Sequence, residues 1–176
     1  MPRLLFIPGS LRAASSSRAV VRALIGRLGC GANCDTADIG LLPHYNADVQ
    51  DDPAVAAFIS AIAQSDGVVF VTPEYNYSVP GVLKNAIDWA SRPAFASVFV
   101  DKPCFVVTTS GGALGGVRAQ AHLKYVLNGM LARVFPCKEV VVPMANASVT
   151  DGVFENDAVL AFAEENLAGF LASLDG

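Results

Sequence analysis

The 176-residue sequence has no long apolar run, although 53% of its residues are hydrophobic. A membrane-spanning helix needs about 20 consecutive apolar residues, so we expect no membrane segment and no membrane partner. The N-terminal stretch MPRLLFIPGS contains a short apolar run that Pro8 and Gly9 interrupt, which is unlike a secretory signal peptide. We therefore expect a cytoplasmic protein.

Metal ligands and basic residues are also scarce. The two histidines do not lie at a ligand spacing from the four cysteines, which predicts free thiols and no metal site. The 12 Lys and Arg residues are scattered and outnumbered by 16 Asp and Glu residues, which argues against a nucleic-acid partner. The chain also lacks the glycine fingerprints of dinucleotide-binding proteins and ATPases.

The sequence does contain a regular alternation of apolar runs and amphipathic segments. This pattern predicts a single α/β domain over residues 1–176, with a parallel sheet covered on both faces. The predicted strands are 3–8, 33–39, 67–72, 103–109 and 139–143. The predicted helices are 15–28, a segment around 55–62, 80–91, 116–132 and 156–174.

Three loops carry most of the Gly, Ser, Pro, Asn and Tyr residues, and each follows a predicted strand. Ligands of parallel α/β sheets bind at the carboxyl ends of the strands, so we expect residues 9–17, 73–81 and 110–116 to form one site. The first loop, PGSLRAASSSR, enters a helix, and its serines and Arg12 suit a phosphate. The alternative is ordinary serine capping with a solvated arginine.

The other two loops suit a flat ligand. TPEYNYSVPG is held by a proline near each end and offers aromatic rings and an amide, although a rigid structural turn is an equal alternative. TTSGGALGG has four glycines that let the backbone approach a ligand, but a plain helix-entry turn would look similar. Together the three loops indicate a monophosphate joined to a planar heterocycle, which is a mononucleotide.

Three motifs carry a family resemblance: GSLRxxS, PEYNYSVPGVLKNAIDWASR and GGVRAQ. From Leu4 to about Val142 the chain resembles the NADPH-dependent FMN reductase family, which includes bacterial quinone, azo-dye and chromate reductases. The resemblance implies a flavodoxin-like three-layer α/β/α fold with a five-stranded parallel sheet. It also implies FMN as cofactor, NADPH or NADH as electron donor, and a homodimer or homotetramer with flavin sites at the subunit interface.

The resemblance also assigns residues to parts of the cofactor. Ser10, Arg12, Ser15 and Ser17 would hold the phosphate. The isoalloxazine would be lined by Pro73, Glu74, Tyr75, Asn76 and Tyr77, and its other edge by Ser110 and Gly111. No catalytic residue is predicted, because the cofactor carries the redox chemistry.

The expected function is an oxidoreductase that passes hydride from NAD(P)H through FMN to an acceptor such as a quinone, an azo compound, a metal oxyanion or free flavin. A flavodoxin-type electron carrier without NAD(P)H oxidation is the main alternative, and a non-catalytic regulator with the same fold is another. Helical spacing places Trp89 off the buried face of its helix. An exposed tryptophan there would support a homo-oligomer.

Overall fold

The computed structural model describes residues 1–174. Its strands are β1 Arg3–Pro8, β2 Asn33–Thr36, β3 Gly67–Pro73, β4 Pro103–Thr109, β5 Arg133–Val134, β6 Val140–Val142, β7 Val149–Thr150 and β8 Val153–Phe154. Its α-helices are α1 Ser16–Leu28, α2 Pro53–Gln64, α3 Gly81–Ala90, α4 Val117–Gly129 and α5 Asp157–Ala172. Among the helices of this part of the chain, none combines the length and apolar surface that crossing a bilayer requires.

The central sheet is parallel, in the order β2, β1, β3, β4 and then a position that β5 and β6 share. β5 pairs with the start of β4 at Pro103 and Cys104, whereas β6 pairs with its end, Val107 to Thr109. The predicted parallel sheet is confirmed, and the strand order is that of flavodoxin. The fifth strand is divided, however: residues 139–143 supply only β6, and β5 is too short to show a sequence pattern.

Alternate residues of the strands enter two separate cores. In β1, Leu4 and Phe6 belong to the core that α1 and α5 cover. Leu5 and Ile7 point to the other face and join the core under α2, α3 and α4. Side chains of a strand alternate between faces, so apolar residues at every position require a helix layer on each side. The predicted three-layer α/β/α arrangement is confirmed.

A small antiparallel hairpin follows the last strand of the sheet and was not among the predicted elements. β7 and β8 pair Val149 with Phe154 and Thr150 with Val153. Between them, Asp151 and Gly152 have φ angles of 49° and 81°, as a type I′ turn requires. The Asp-Gly pair between Thr150 and Val153, two β-branched residues, is a strong hairpin signal, so this element could have been found in the sequence.

The prediction that Trp89 lies on an exposed face of its helix is wrong. Its side chain is buried in α3, and its indole N–H donates to the carbonyl oxygen of Pro43 at 2.8 Å. The ring of Tyr45 lies edge-on to it, with 5.0 Å between ring centroids. The loop before α2 covers this face of the helix, so Trp89 is part of the fold and is not evidence for a subunit interface.

Candidate functional site

The loops after β1, β3 and β4 meet at one edge of the sheet and enclose a small cleft of about 70 Å³. Nine of the eleven predicted site residues line it: Ser10, Arg12, Ser15, Ser17, Pro73, Glu74, Tyr75, Ser110 and Gly111. Asn76 and Tyr77 lie outside this lining. Ser16, one of the serines of the predicted phosphate loop, completes the lining together with Thr109 and Asn146, which were not predicted.

The first loop passes unusually close to β3. The backbone N–H of Gly9 donates to the Val71 carbonyl at 2.9 Å. A Cβ atom at Gly9 would lie only 2.1 Å from Oγ1 of Thr72, so only glycine fits here. Beyond this point Arg18 holds the loop, because its Nε donates to the Ser10 carbonyl at 3.0 Å. Arg18 thus positions the loop, whereas sequence analysis singled out only Arg12.

Ser15 is the N-cap of α1, and its hydroxyl accepts from the backbone N–H of Arg18 at 3.1 Å. The same hydroxyl lies 3.0 Å from that of Ser17, which is fully buried. The capping alternative is therefore correct for Ser15. It does not account for the remaining buried serines, which crowd the start of a helix whose free backbone N–H groups favour an anion.

Arg12 extends from this loop as an exposed side chain. Within residues 1–174 its guanidinium makes no ion pair, whereas Arg18 lies 3.9 Å from a carboxylate oxygen of Asp38. An unpaired guanidinium beside a cleft of hydroxyl groups can form a charge-assisted bond to a phosphate.

The second loop is a tight turn closed by backbone bonds between Tyr75 and Ser78, at 2.9 and 3.1 Å. Asn76 and Tyr77 form its tip with φ angles of 48° and 66°, which few non-glycine residues adopt. Their side chains are exposed, so the turn presents them to solvent beside the cleft. The phenol of Tyr75 reaches back across the cleft to the Ser10 hydroxyl, at 3.3 Å.

Glu74 anchors this turn to α4. One carboxylate oxygen accepts from the backbone N–H groups of Arg118 and Ala119, at 3.1 and 3.2 Å. Gly116, the N-cap residue of α4, has no side chain that could do this, so Glu74 caps the helix from another strand. Glu74 lines the cleft as predicted, but its carboxylate is committed to the helix.

Two side chains of α4 brace the turn from the outside. The guanidinium of Arg118 lies over the ring of Tyr77, 4.6 Å from its centroid, and also pairs with Glu74 at 3.3 Å. One turn further along, Nδ1 of His122 lies 3.0 Å from the Ser78 hydroxyl. The periodicity of α4 identifies these positions only as exposed, so sequence analysis missed their role.

The third loop is held by the segment after β6. The Ser110 carbonyl accepts from the N–H of Ala145 at 2.8 Å, and the Gly112 carbonyl accepts from that of Met144 at 3.0 Å. These bonds bring Asn146 beside the glycine-rich loop, where its Nδ2 would be 3.1 Å from a Cβ at Gly111. Asn146 is thus a cleft residue that lies outside all three predicted loops.

The cleft contains a concentration of buried hydroxyl groups. Ser10, Ser15, Ser17 and Thr109 are each at most 5% exposed. The Thr109 hydroxyl oxygen has no hydrogen-bond partner within the described residues. Buried polar groups are nearly always paired, because leaving one unpaired costs about 1–3 kcal/mol. The arrangement is suited to a ligand with several acceptor atoms.

The cysteines play no part in this cleft. All four are free thiols. Burial raises the pKa of the Cys104 thiol, in the middle of the protein, to about 12. Burial also raises the pKa of Cys34 and of Cys137, so these three thiols remain protonated at neutral pH. In the part of the chain that the structure describes, no cluster of His, Cys, Asp or Glu side chains could hold a metal ion.

Comparison with known proteins assigns the family. Over 169 residues the chain is 39% identical to an NAD(P)H-dependent FMN reductase of Pseudomonas aeruginosa, covering 94% of this chain and 91% of the relative. It is 47% identical over 126 residues to a 2-hydroxy-1,4-benzoquinone reductase of a Burkholderia species, covering 70% and 69% of the two chains.

A solved structure of the flavoenzyme NAD(P)H:(acceptor) oxidoreductase FerB from Paracoccus denitrificans superposes with a TM-score of 0.89 and 31% identity, over 99% of this chain and 98% of that one. The family model described as NADPH-dependent FMN reductase matches residues 2–147. That range includes all three loops of the cleft, and the predicted resemblance is confirmed: the chain belongs to the NADPH-dependent FMN reductase family.

Proposed function

We propose that this protein, as a single domain, holds FMN in the cleft between the three loops and reduces quinones with NAD(P)H. The observation that carries the placement of FMN is the group of buried hydroxyls around the start of α1. The Thr109 hydroxyl oxygen, at the end of β4 and also in the lining of the cleft, has no partner within residues 1–174. A phosphate offers several acceptor oxygens and a negative charge, and the helix N-terminus and Arg12 complement both.

The residues present fit FMN at both ends of the cleft. Gly9 lets the phosphate loop lie against β3, since a methyl group there would clash with Thr72. On the opposite side, a Cβ at Gly116 would lie 2.9 Å from Cβ of Thr108, so the third loop also keeps its backbone close to the sheet. Glycine at these two points lets each loop pack its backbone directly against the sheet, which fixes the walls of the cleft around the ligand.

When bound, FMN supplies the redox chemistry by accepting hydride from NAD(P)H and passing electrons to the acceptor. The chain's own contribution is binding, orientation and electrostatics. Serine hydroxyls and Arg12 fix the phosphate. Backbone N–H groups of the second and third loops are candidates to stabilise negative charge at the edge of the ring.

The proposed acceptor class rests on similarity and on the exposed second loop. A relative that is 47% identical is named 2-hydroxy-1,4-benzoquinone reductase. The turn that flanks the ring end presents Tyr75 and Tyr77 with 45% and 66% of their surface exposed. Flat aromatic surfaces beside an open face favour stacking of a planar acceptor such as a quinone.

The test is anaerobic mixing of the FMN-loaded protein with NADPH or NADH, followed by addition of benzoquinone. We expect the flavin absorbance to bleach with the nucleotide and to return with the quinone. Bleaching by dithionite but by neither nucleotide would contradict the proposal and would favour an electron carrier instead. Bleaching without recovery would contradict the quinone as acceptor.

We also propose a cytoplasmic homo-oligomer, consistent with the free thiols, that assembles through the exposed side of α4. Arg118, His122 and Tyr125 share one helix face, which continues into Tyr77. Tyr125 is 82% exposed and Leu114, just before the helix, 54%. Large exposed apolar side chains next to a ligand site are typical of an interface.

Sedimentation of Tyr125→Glu tests this interface. We expect the variant to be monomeric at micromolar concentration, whereas Leu41→Glu should retain the native assembly. Leu41 is a suitable control because it is 70% exposed in the short 3-10 helix Ile39–Leu41, away from α4. A native protein that sediments as a monomer would contradict the proposal.

A further inference from the structure

A second, larger groove opens from the phosphate end of the cleft. Its volume is about 610 Å³, and we call it the outer groove. Arg12, Ser16 and Asn146 line both the cleft and the outer groove, so the two spaces are adjacent there. No residue of the turn 73–78 or of the loop 110–116 lines the outer groove. It is therefore an extension of the phosphate end of the site, away from the ring end.

The outer groove is built on fixed elements. Ala13 and Ala14, in the turn before α1, line one side, and residues of the β7–β8 hairpin line the other. The hairpin is tied to α1 because Arg22 donates to the Gly152 carbonyl at 2.7 Å. Phe154 anchors it from below as part of the core. A groove with two supported walls is already formed before a ligand enters.

The chemistry of the lining changes along the outer groove. Arg12 lies where it joins the cleft, whereas Asp151 lines the outer groove alone. Within residues 1–174 the Asp151 carboxylate makes no ion pair or hydrogen bond, so it is free to accept from a ribose diol, as acidic residues do in nucleotide sites. Ala14 and Val149 add small apolar surfaces between the two charges.

We propose that the outer groove is a subsite for the adenylate half of FAD, so that the protein binds FAD as well as FMN. This inference rests on the proposed placement of the FMN phosphate in the cleft. FAD carries its second phosphate, ribose and adenine on that phosphate, at the end of the cleft that adjoins the outer groove. The chain lacks the glycine fingerprint of dinucleotide-binding proteins, but the outer groove is formed by two distant segments, the turn before α1 and the β7–β8 hairpin, and needs no such fingerprint.

The adenylate half of NADPH is a poorer match for two reasons. Nicotinamide must reach the flavin ring, and the outer groove does not adjoin the ring-end loops. The 2′-phosphate of NADPH would also face the Asp151 carboxylate, and like charges repel.

The experiment titrates the protein, freed of bound flavin, with riboflavin, FMN and FAD and measures flavin fluorescence. We expect FAD to bind within about tenfold of FMN. Ala14→Trp fills the outer groove and should weaken FAD at least about tenfold while FMN changes less than about twofold. Ala13→Trp, at the neighbouring exposed position, should have the same effect. It provides a second test of the outer groove if Ala14→Trp does not fold.

Ala57→Trp is the matched control, because Ala57 lines a separate groove beside α2. It should change neither affinity. FAD binding more than about a hundredfold weaker than FMN would overturn the inference and leave the FMN site intact. If the protein without substitutions bound neither FMN nor FAD, the result would instead contradict the proposed function. If Ala14→Trp raised the KM for NADH and left FAD binding unchanged, the outer groove would belong to the pyridine nucleotide.

Discussion

The two ends of the cleft are built in opposite ways. At the phosphate end, residues 10–17, the serine side chains are buried; the hydroxyls of Ser15 and Ser17 are bonded to one another, and Ser15 caps the start of α1. At the ring end, residues 73–78, the side chains of Asn76 and Tyr77 are exposed. The supports of the ring end come from α4, through Arg118 and His122. Among the hydrogen bonds of the described residues, the one between Tyr75 and Ser10 alone joins the two ends directly.

This difference assigns binding of the cofactor to the phosphate end and access of the acceptor to the ring end. Buried hydroxyls and a helix end supply strong, directional contacts, so the phosphate end should account for most of the cofactor's binding free energy. An exposed turn braced by surface contacts of about 0–1 kcal/mol each can adjust to acceptors of different shape. Each of the following variants should affect one end more than the other.

The largest effect is expected for Gly9→Ala. The new methyl group would lie 2.1 Å from Oγ1 of Thr72, inside any allowed contact, so the loop and β3 must separate. We expect a loss of about 3 kcal/mol in the free energy of unfolding, measured with urea. Gly26→Ala is the control, since within residues 1–174 no atom outside its own stretch of helix lies within 4 Å of the added Cβ. Equal stability of the two variants would contradict the predicted close approach.

Arg12→Ala should weaken FMN binding tenfold to a hundredfold, or about 1.5–3 kcal/mol, because it removes a charge-assisted bond to the phosphate. Riboflavin has no phosphate, so its affinity should not change. Fluorescence titration of both flavins measures the difference. A parallel loss for riboflavin would show that Arg12 acts on the ring or on the fold.

Glu74→Ala should lower the free energy of unfolding by about 1 kcal/mol, because two backbone N–H groups at the start of α4 lose their acceptor. Glu74→Gln retains an acceptor oxygen and should lose less. Thermal unfolding provides the comparison, with Glu139→Ala as a control at an exposed ion pair. An unchanged melting temperature in Glu74→Ala would refute the capping role.

The smallest effect is expected for Arg118→Leu, which removes the guanidinium from the face of Tyr77. We expect the dissociation constant for FMN to change less than about threefold, since exposed cation–π and ion pairs each contribute about 1 kcal/mol or less. A tenfold loss, comparable with that of Arg12→Ala, would remove the distinction between the two ends.

The parts of the site that could be predicted from the sequence are those whose local structure is determined by residues close to one another in the chain. The loop from Ser10 to Ser17 is a strand end, a turn and a helix cap, and each has a local signature. Asn146 was missed because its position depends on the bond between Ala145 and Ser110, which are far apart in the chain. No short sequence pattern reports such a bond.

A contact between distant parts of the chain also explains why the exposure of Trp89 was predicted wrongly, because a distant loop covers its side chain. Helical spacing gives the direction of a side chain relative to the helix, but it does not show which loop covers that face. The Pro43 carbonyl accepts from the indole of Trp89 from 46 positions away in the chain. In the hairpin, by contrast, the Asp151-Gly152 turn is a local signal, so that element was overlooked although its pattern is present in the sequence.

The burial of the Cys104 thiol limits the covalent damage that a quinone acceptor can do to the protein. Quinones are electrophiles that add to thiolates, and an oxidoreductase that turns them over meets them at high local concentration. Burial raises the pKa of the Cys104 thiol to about 12, so this thiol stays protonated at neutral pH, and its side chain is fully enclosed. Because the protonated thiol is a poor nucleophile, Cys104 is protected from arylation, whereas Cys34 and Cys137 are half-buried and Cys30 is exposed. The protein's interior thus provides chemical tolerance as well as stability.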